Sequence, residues 1–135
     1  MTPIVLTKRA DFLAANRGLR VARPGFVLLV RPNAGPEGGK GLRYGITVTK
    51  KIGNAVVRNR MKRRFRALLR EALPGAGLPD HDHVLIGREG GIERDFAALR
   101  EELAIALDRA GAGKADPARR PRKGGRGAGR PVKRR

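Results

Sequence analysis

Apolar positions along the chain switch between a two-residue and a helical period, and the switches set the order of elements. From Leu19 to Arg31, "LRVA" alternates and "FVLLV" is a compact apolar run, with Pro24-Gly25 between them. That pattern predicts two strands joined by a tight turn. "RPNAGPEGGKG" is too rich in Gly and Pro for regular structure. "LRYGITVT" predicts a third strand, with Ile46 and Val48 on one face and Thr47 and Thr49 on the other. "HVLIGR" predicts a fourth. Residues 1–7 read as an extended lead-in, after which Thr7 is placed to cap a short helix running to about Asn16 and ended by Gly18. Phe12 and Ala15 give that helix only a thin apolar stripe. The main helix is predicted from about Asn54, its N-cap, to Ala72, with Pro74-Gly75 ending it. A last helix is predicted from Asp95 to about Arg109, carrying Phe96, Leu99, Leu103 and Leu107 at helical spacing and stopped by Gly111. The order is α-β-β-β-α-β-α, a four-stranded sheet with helices against it, and residues 1–111 form one domain. From residue 112 to 135 the apolar periodicity disappears, which predicts a disordered basic tail.

The main helix has two unlike faces. At 100° per residue, Val57, Met61, Phe65, Leu68, Leu69 and Ala72 fall within an arc of roughly 120°. Arg60, Lys62, Arg63, Arg64, Arg66 and Arg70 fill most of the rest, with Asn59 in the middle of the cationic arc. Arg58 breaks the division, because its angle falls inside the apolar arc, between Phe65 and Leu69. It also stands near the helix start, where the macrodipole disfavours a cation by about 0.3–1 kcal/mol. An anion bound at that helix end reconciles both facts.

Charge sharpens this picture. The 135-residue chain has a net charge of +19, with 31 Lys and Arg against 12 Asp and Glu. Residues 50–70 hold nine cations and no acid, and residues 114–135 hold ten cations and Asp116. The remainder, twelve basic against eleven acidic residues, is nearly neutral. Two cationic devices on a neutral body point to a polyanion. A merely solvated helix would mix signs at i,i+4, and this one has no acid before Glu71. The absence of cysteine excludes disulfides, thiolate catalysis and Cys-ligated zinc. No apolar run is long enough to span a membrane, and "MTPIVLTKRADF" lacks the features of a signal peptide, so a cytoplasmic protein is expected. The run Asp80–His83, "DHDH", alternates His and carboxylate, but reads better as a polar loop before a strand than as a metal or acid–base site. No catalytic residue and no metal site is assigned to the protein itself. Phe12 is placed to stack on a single-stranded base, to anchor its thin helix, or both.

The run "KKIGNAVVRNRMKRRFR", from Lys50 to Arg66, resembles the signature of the bacterial ribonuclease P protein subunit. "KRADF", a Gly before the first strand, "FVLLV", "LRYGITVT", "HVLIGR" and the last helix extend the resemblance over roughly residues 6–108, leaving out the 32–41 loop and the tail. The resemblance implies an α/β (α+β) two-layer sandwich with an unusual left-handed βαβ crossover at the basic helix. It also implies a function: with a catalytic RNA, the protein would form an endoribonuclease that removes the 5′ leader of precursor tRNA. The resemblance further implies that the RNA carries the active site, that Mg2+ is bound mainly by RNA and substrate, and that the protein aids the metal-dependent cleavage. The implied partners are that RNA, one protein per RNA, and precursor tRNA; no membrane is implied. Lys50, Lys51, Asn54, Arg58, Asn59, Arg60, Lys62, Arg63, Arg66 and Arg70 form the implied RNA-binding set. Phe12, Leu29, Thr47, Thr49, Lys50, Arg58 and Asn59 match positions lining a cleft for the leader. Asn16 and Leu29 stand where many members carry aromatics, which implies less base stacking and more reliance on cations. The alternatives are a ribosomal or nucleoid protein using the same helix on rRNA or DNA, and an anionic-membrane binder. The apolar residues of the helix are needed to cover the sheet, which argues against the membrane.

Overall fold

The computed structural model describes residues 3–34 and 38–113. The expected tail lies outside the described residues from residue 114 onward. Eight elements follow one another: β1 (Ile4–Val5), α1 (Arg9–Ala15), β2 (Leu19–Ala22), β3 (Phe26–Pro32), β4 (Arg43–Thr47), α2 (Ala55–Ala76), β5 (His81–Gly87) and α3 (Phe96–Gly111). The sheet has five strands in the order β1-β4-β5-β3-β2, one more than expected. The extra strand comes from the lead-in: Ile4 and Val5 pair in parallel with Arg43 and Tyr44 of β4. A two-residue, half-exposed edge strand leaves no alternation to read, because only its non-local partner creates it.

β4 and β5 are parallel neighbours joined through α2, while β5–β3 and β3–β2 are antiparallel. The alternation in β3 divides the core. Phe26, Leu28 and Val30 join Met61, Phe65, Leu68, Leu69 and Leu73 of α2 and Leu99, Leu103 and Leu107 of α3 in the larger cluster. Val27 and Leu29 face the other way, toward Leu6 and Ala15, with Phe12 and Ile86 packed alongside. The α+β class is as expected, but helices cover both faces, with α1 alone on the second.

Helix ends moved for local reasons. α1 begins after Lys8, with no side-chain cap, so Thr7 is not its cap. α2 runs through Pro74 to Ala76 rather than ending at Ala72. Pro74 is exposed, so water can satisfy the Arg70 carbonyl that its missing N–H leaves free. The extra turn buries Leu73, 1% exposed, under the sheet. α3 starts at Phe96 and includes Gly111.

Candidate nucleic-acid interface

α2 begins where backbone and side chain agree. Gly53 has φ 155°, a conformation open in practice only to glycine. Asn54 follows, and its side-chain oxygen accepts the Val57 N–H at 3.0 Å. Asn54 is therefore the N-cap, as expected, which engages part of a side chain also placed in the RNA-binding set.

The cations of α2 are not used alike. Arg63, Arg66 and Arg70 are exposed and make no ion pair among the described residues, and Asn59 stands exposed beside them. Arg60 is exposed and lies 3.8 Å from the exposed Glu93. Arg64 is turned inward: it donates to the carbonyls of Arg94 and Gly91, and its guanidinium lies 5.9 Å from the Phe96 ring centroid. The sequence placed Arg64 in the free cationic arc; the structure uses it to dock the start of α3. Arg58 is half-buried, as its wheel angle implied, and its Nε donates to the Gly53 carbonyl at 3.1 Å. Lys50 and Lys51 are exposed in a 3-10 turn just before α2.

On the other face of the sheet, α1 roofs a cleft of about 560 Å³. Its floor is Leu29, Val84 and Ile86, and its walls include Phe12, Thr47, Arg9 and Lys62. Of the residues matched to the cleft, Phe12, Leu29 and Thr47 are brought together here. Thr49, Lys50, Arg58 and Asn59 do not line it; Thr49 and Lys50 are exposed beyond the end of β4. Lys62, assigned only to the helix's outer face, lines the cleft and also, with Arg66, a second hollow of about 240 Å³ beside Gly45. Sequence reasoning missed Arg9. The signal was present: Arg9, Phe12, Leu13 and Asn16 stand at i, i+3, i+4 and i+7, one helical face, and all four line the cleft. Gly45 makes the Phe12 position possible, because a Cβ there would lie 2.5 Å from the ring.

The "DHDH" run is not a loop. His81, Asp82 and His83 belong to β5, and Asp82 and His83 are fully buried. Polar residues enter the strand because each finds a fixed partner. Asp82 receives Arg43 Nε and Nη2 at 2.7 and 2.8 Å and Asn33 Nδ2 at 2.9 Å. Burial would push the Asp82 pKa up; the Arg43 fork and the Asn33 amide outweigh it and hold the pKa below the usual carboxylate value. The Arg43 pKa is raised, chiefly by Asp82. His83 Nε2 accepts the Leu78 N–H at 3.0 Å, which leaves Nδ1 to donate to the Arg43 carbonyl at 3.0 Å. Burial holds the His83 pKa below its ordinary value. Among the described residues no group of three His, Cys, Asp or Glu is placed to hold a metal, and no helix is long and apolar enough to cross a membrane.

A mixed sheet carrying a basic helix whose Arg63, Arg66 and Arg70 stand exposed, beside a cation-edged cleft, has the features of a nucleic-acid-binding protein of the α+β class. A family model for ribonuclease P matches residues 2–111. The ribonuclease P protein component of Erythrobacter litoralis is 75% identical over 121 residues, 90% of this chain and 97% of that protein. The structure of the ribonuclease P protein of Thermotoga maritima matches with a TM-score of 0.65 at 34% identity, over 77% of this chain and 94% of that one. That of Staphylococcus aureus matches with a TM-score of 0.64 at 29% identity, over 78% and 94%. The chain belongs to the ribonuclease P protein family, whose members serve as a subunit of ribonuclease P, with tRNA processing implied by the name.

Proposed function

We propose that this chain serves ribonuclease P by holding two RNAs at once. The outer face of α2, through Arg63, Arg66, Arg70 and Asn59, grips the catalytic RNA. The cleft under α1 takes the single-stranded 5′ leader of precursor tRNA, with bases against Phe12 and the apolar floor and phosphates near Arg9 and Lys62. One observation carries this reading: Lys62 lies on the basic helix and lines the cleft, so the two surfaces share an edge. The alternative of an rRNA- or DNA-binding protein gives no reason for a cleft there.

In this reading catalysis belongs to the RNA subunit, and the chain's part is positional. Magnesium supplies the activated water and charge stabilisation for phosphodiester hydrolysis when bound by RNA and substrate. Asp11 and Asp82 are turned onto Arg43, so in this reading the chain aids the metal-dependent cleavage through the cations Arg9 and Lys62 that hold phosphates at the cleft, not through those two carboxylates. Reconstitution tests the whole. With its cognate ribonuclease P RNA at low magnesium, the protein should raise cleavage of precursor tRNA above that of RNA alone, and protein alone should not cleave. No improvement, or cutting by pure protein, would remove the proposal.

A further inference from the structure

α1 is too short to be stable by itself: it has seven residues and no side-chain cap, and Ala15 is its one buried residue. Its position over the cleft must come from tertiary ties. Ala15 holds the C-terminal end in the core. The N-terminal half is held by the Phe12 ring, which packs on Gly45 and on the cluster of Leu6, Val27, Leu29 and Val84, and by the ion pair from Asp11 Oδ1 to Arg43 Nη2 at 3.5 Å.

The Arg43 end of that pair cannot move. Its Nε and one Nη2 hydrogen are taken by the two Asp82 oxygens, and Asp82, whose side chain is 1% exposed, is itself held by Asn33. The second Nη2 hydrogen is left to face Asp11. The guanidinium is thus a fixed post, and the helix must come to it. Asp11 immediately precedes Phe12, so the pair lies directly beside the cleft's aromatic wall.

We infer that Asp11, held by the Arg43–Asp82 pair, is a positioning residue for the cleft, fixing Phe12 where a leader nucleotide would meet it. The inference rests on the reading of the cleft as a leader site. The test uses holoenzyme assembled with cognate RNA and reads the affinity for leader-bearing precursor tRNA relative to mature tRNA. Asp11→Asn should lower that ratio roughly three- to five-fold while leaving mature tRNA binding unchanged. Asp11→Glu, which keeps the charge on a longer arm, should recover part of the loss. In the free full-length protein, Asp11→Asn should speed amide exchange across residues 9–15 and leave β3 and β5 unchanged, which a general loss of stability would not do. Phe12→Ala is the control for the cleft. If Phe12→Ala lowers the ratio and Asp11→Asn does not, the positioning role is overturned and the cleft reading stands. If Phe12→Ala leaves the ratio unchanged, the cleft reading fails, and the inference with it. Unchanged exchange in α1 overturns the anchor directly.

Discussion

Arg43 and the outer face of α2 are both strongly cationic, and they solve the problem of charge in opposite ways. Arg43 sits on a strand with a side chain 15% exposed, and it meets carboxylates supplied by the protein itself. Arg63, Arg66 and Arg70 meet none among the described residues and stand in water. The first arrangement binds the protein to itself: β4, β5 and α1 converge on one guanidinium, and the Asn33 loop on the carboxylate that it meets. The second leaves like charges together, a cost that a polyanionic partner would offset. A cation's role in this molecule depends on where its anion is, not on its residue type.

The sharpest way to break the contrast is to remove the buried pole. Arg43→Ala leaves Asp82 buried and unpaired, and should cost about 3–5 kcal/mol of stability in chemical denaturation. Affinity for the ribonuclease P RNA should fall only as the folded fraction falls, while the preference for leader-bearing over mature tRNA should fall as it does for Asp11→Asn. The exposed pole should behave in reverse. Replacing Arg63, Arg66 and Arg70 together by Ala should leave the unfolding midpoint unchanged or slightly raised. Affinity for the ribonuclease P RNA should drop roughly ten- to a hundred-fold. Its salt dependence should become shallower, by about one unit of slope for each phosphate that the variant no longer neutralises. An equal loss of stability would place these residues with Arg43.

Arg64 tests the boundary between the poles. It lies on the basic helix but binds two backbone carbonyls and faces Phe96. Arg64→Ala should therefore cost about 1 kcal/mol of stability and change RNA affinity little, as titration against the RNA would show. Acid should act on the buried groups of β5. The pKa of His83 is lowered in the fold, so its contribution is intact above its ordinary value near 6.5 and is lost as pH falls toward the folded value. Asp82 is also lowered, so its contribution is present above its ordinary value of 3.8 and is lost as pH falls through the folded value. Denaturation midpoints should fall in those two steps, and His83→Gln should remove the first.

Much of this was legible from the chain. Val57, Met61, Phe65, Leu68 and Leu69 mark the buried face of α2 by spacing alone, because a helix has a fixed period and the sheet needs cover. The odd angle of Arg58 announced a cation turned off the solvent face, and the structure finds it half-buried. The basic motif and the order of the elements after β1 followed from local pattern, and the family from the resemblance that the motif carries. The rest required partners distant in sequence. β1 exists because β4 lies beside it. His81, Asp82 and His83 extend β5 because Arg43 and Asn33, about forty to fifty positions earlier, satisfy Asp82 while the Arg43 carbonyl and Leu78 satisfy His83. The two fates of the α2 cations depend on α3, which claims Arg64, and on α1, whose cleft claims Lys62. Periodicity reports which residues share a face. Only the tertiary structure decides what that face meets, since hydrogen bonds and ion pairs are settled over a few ångströms between groups the sequence holds far apart.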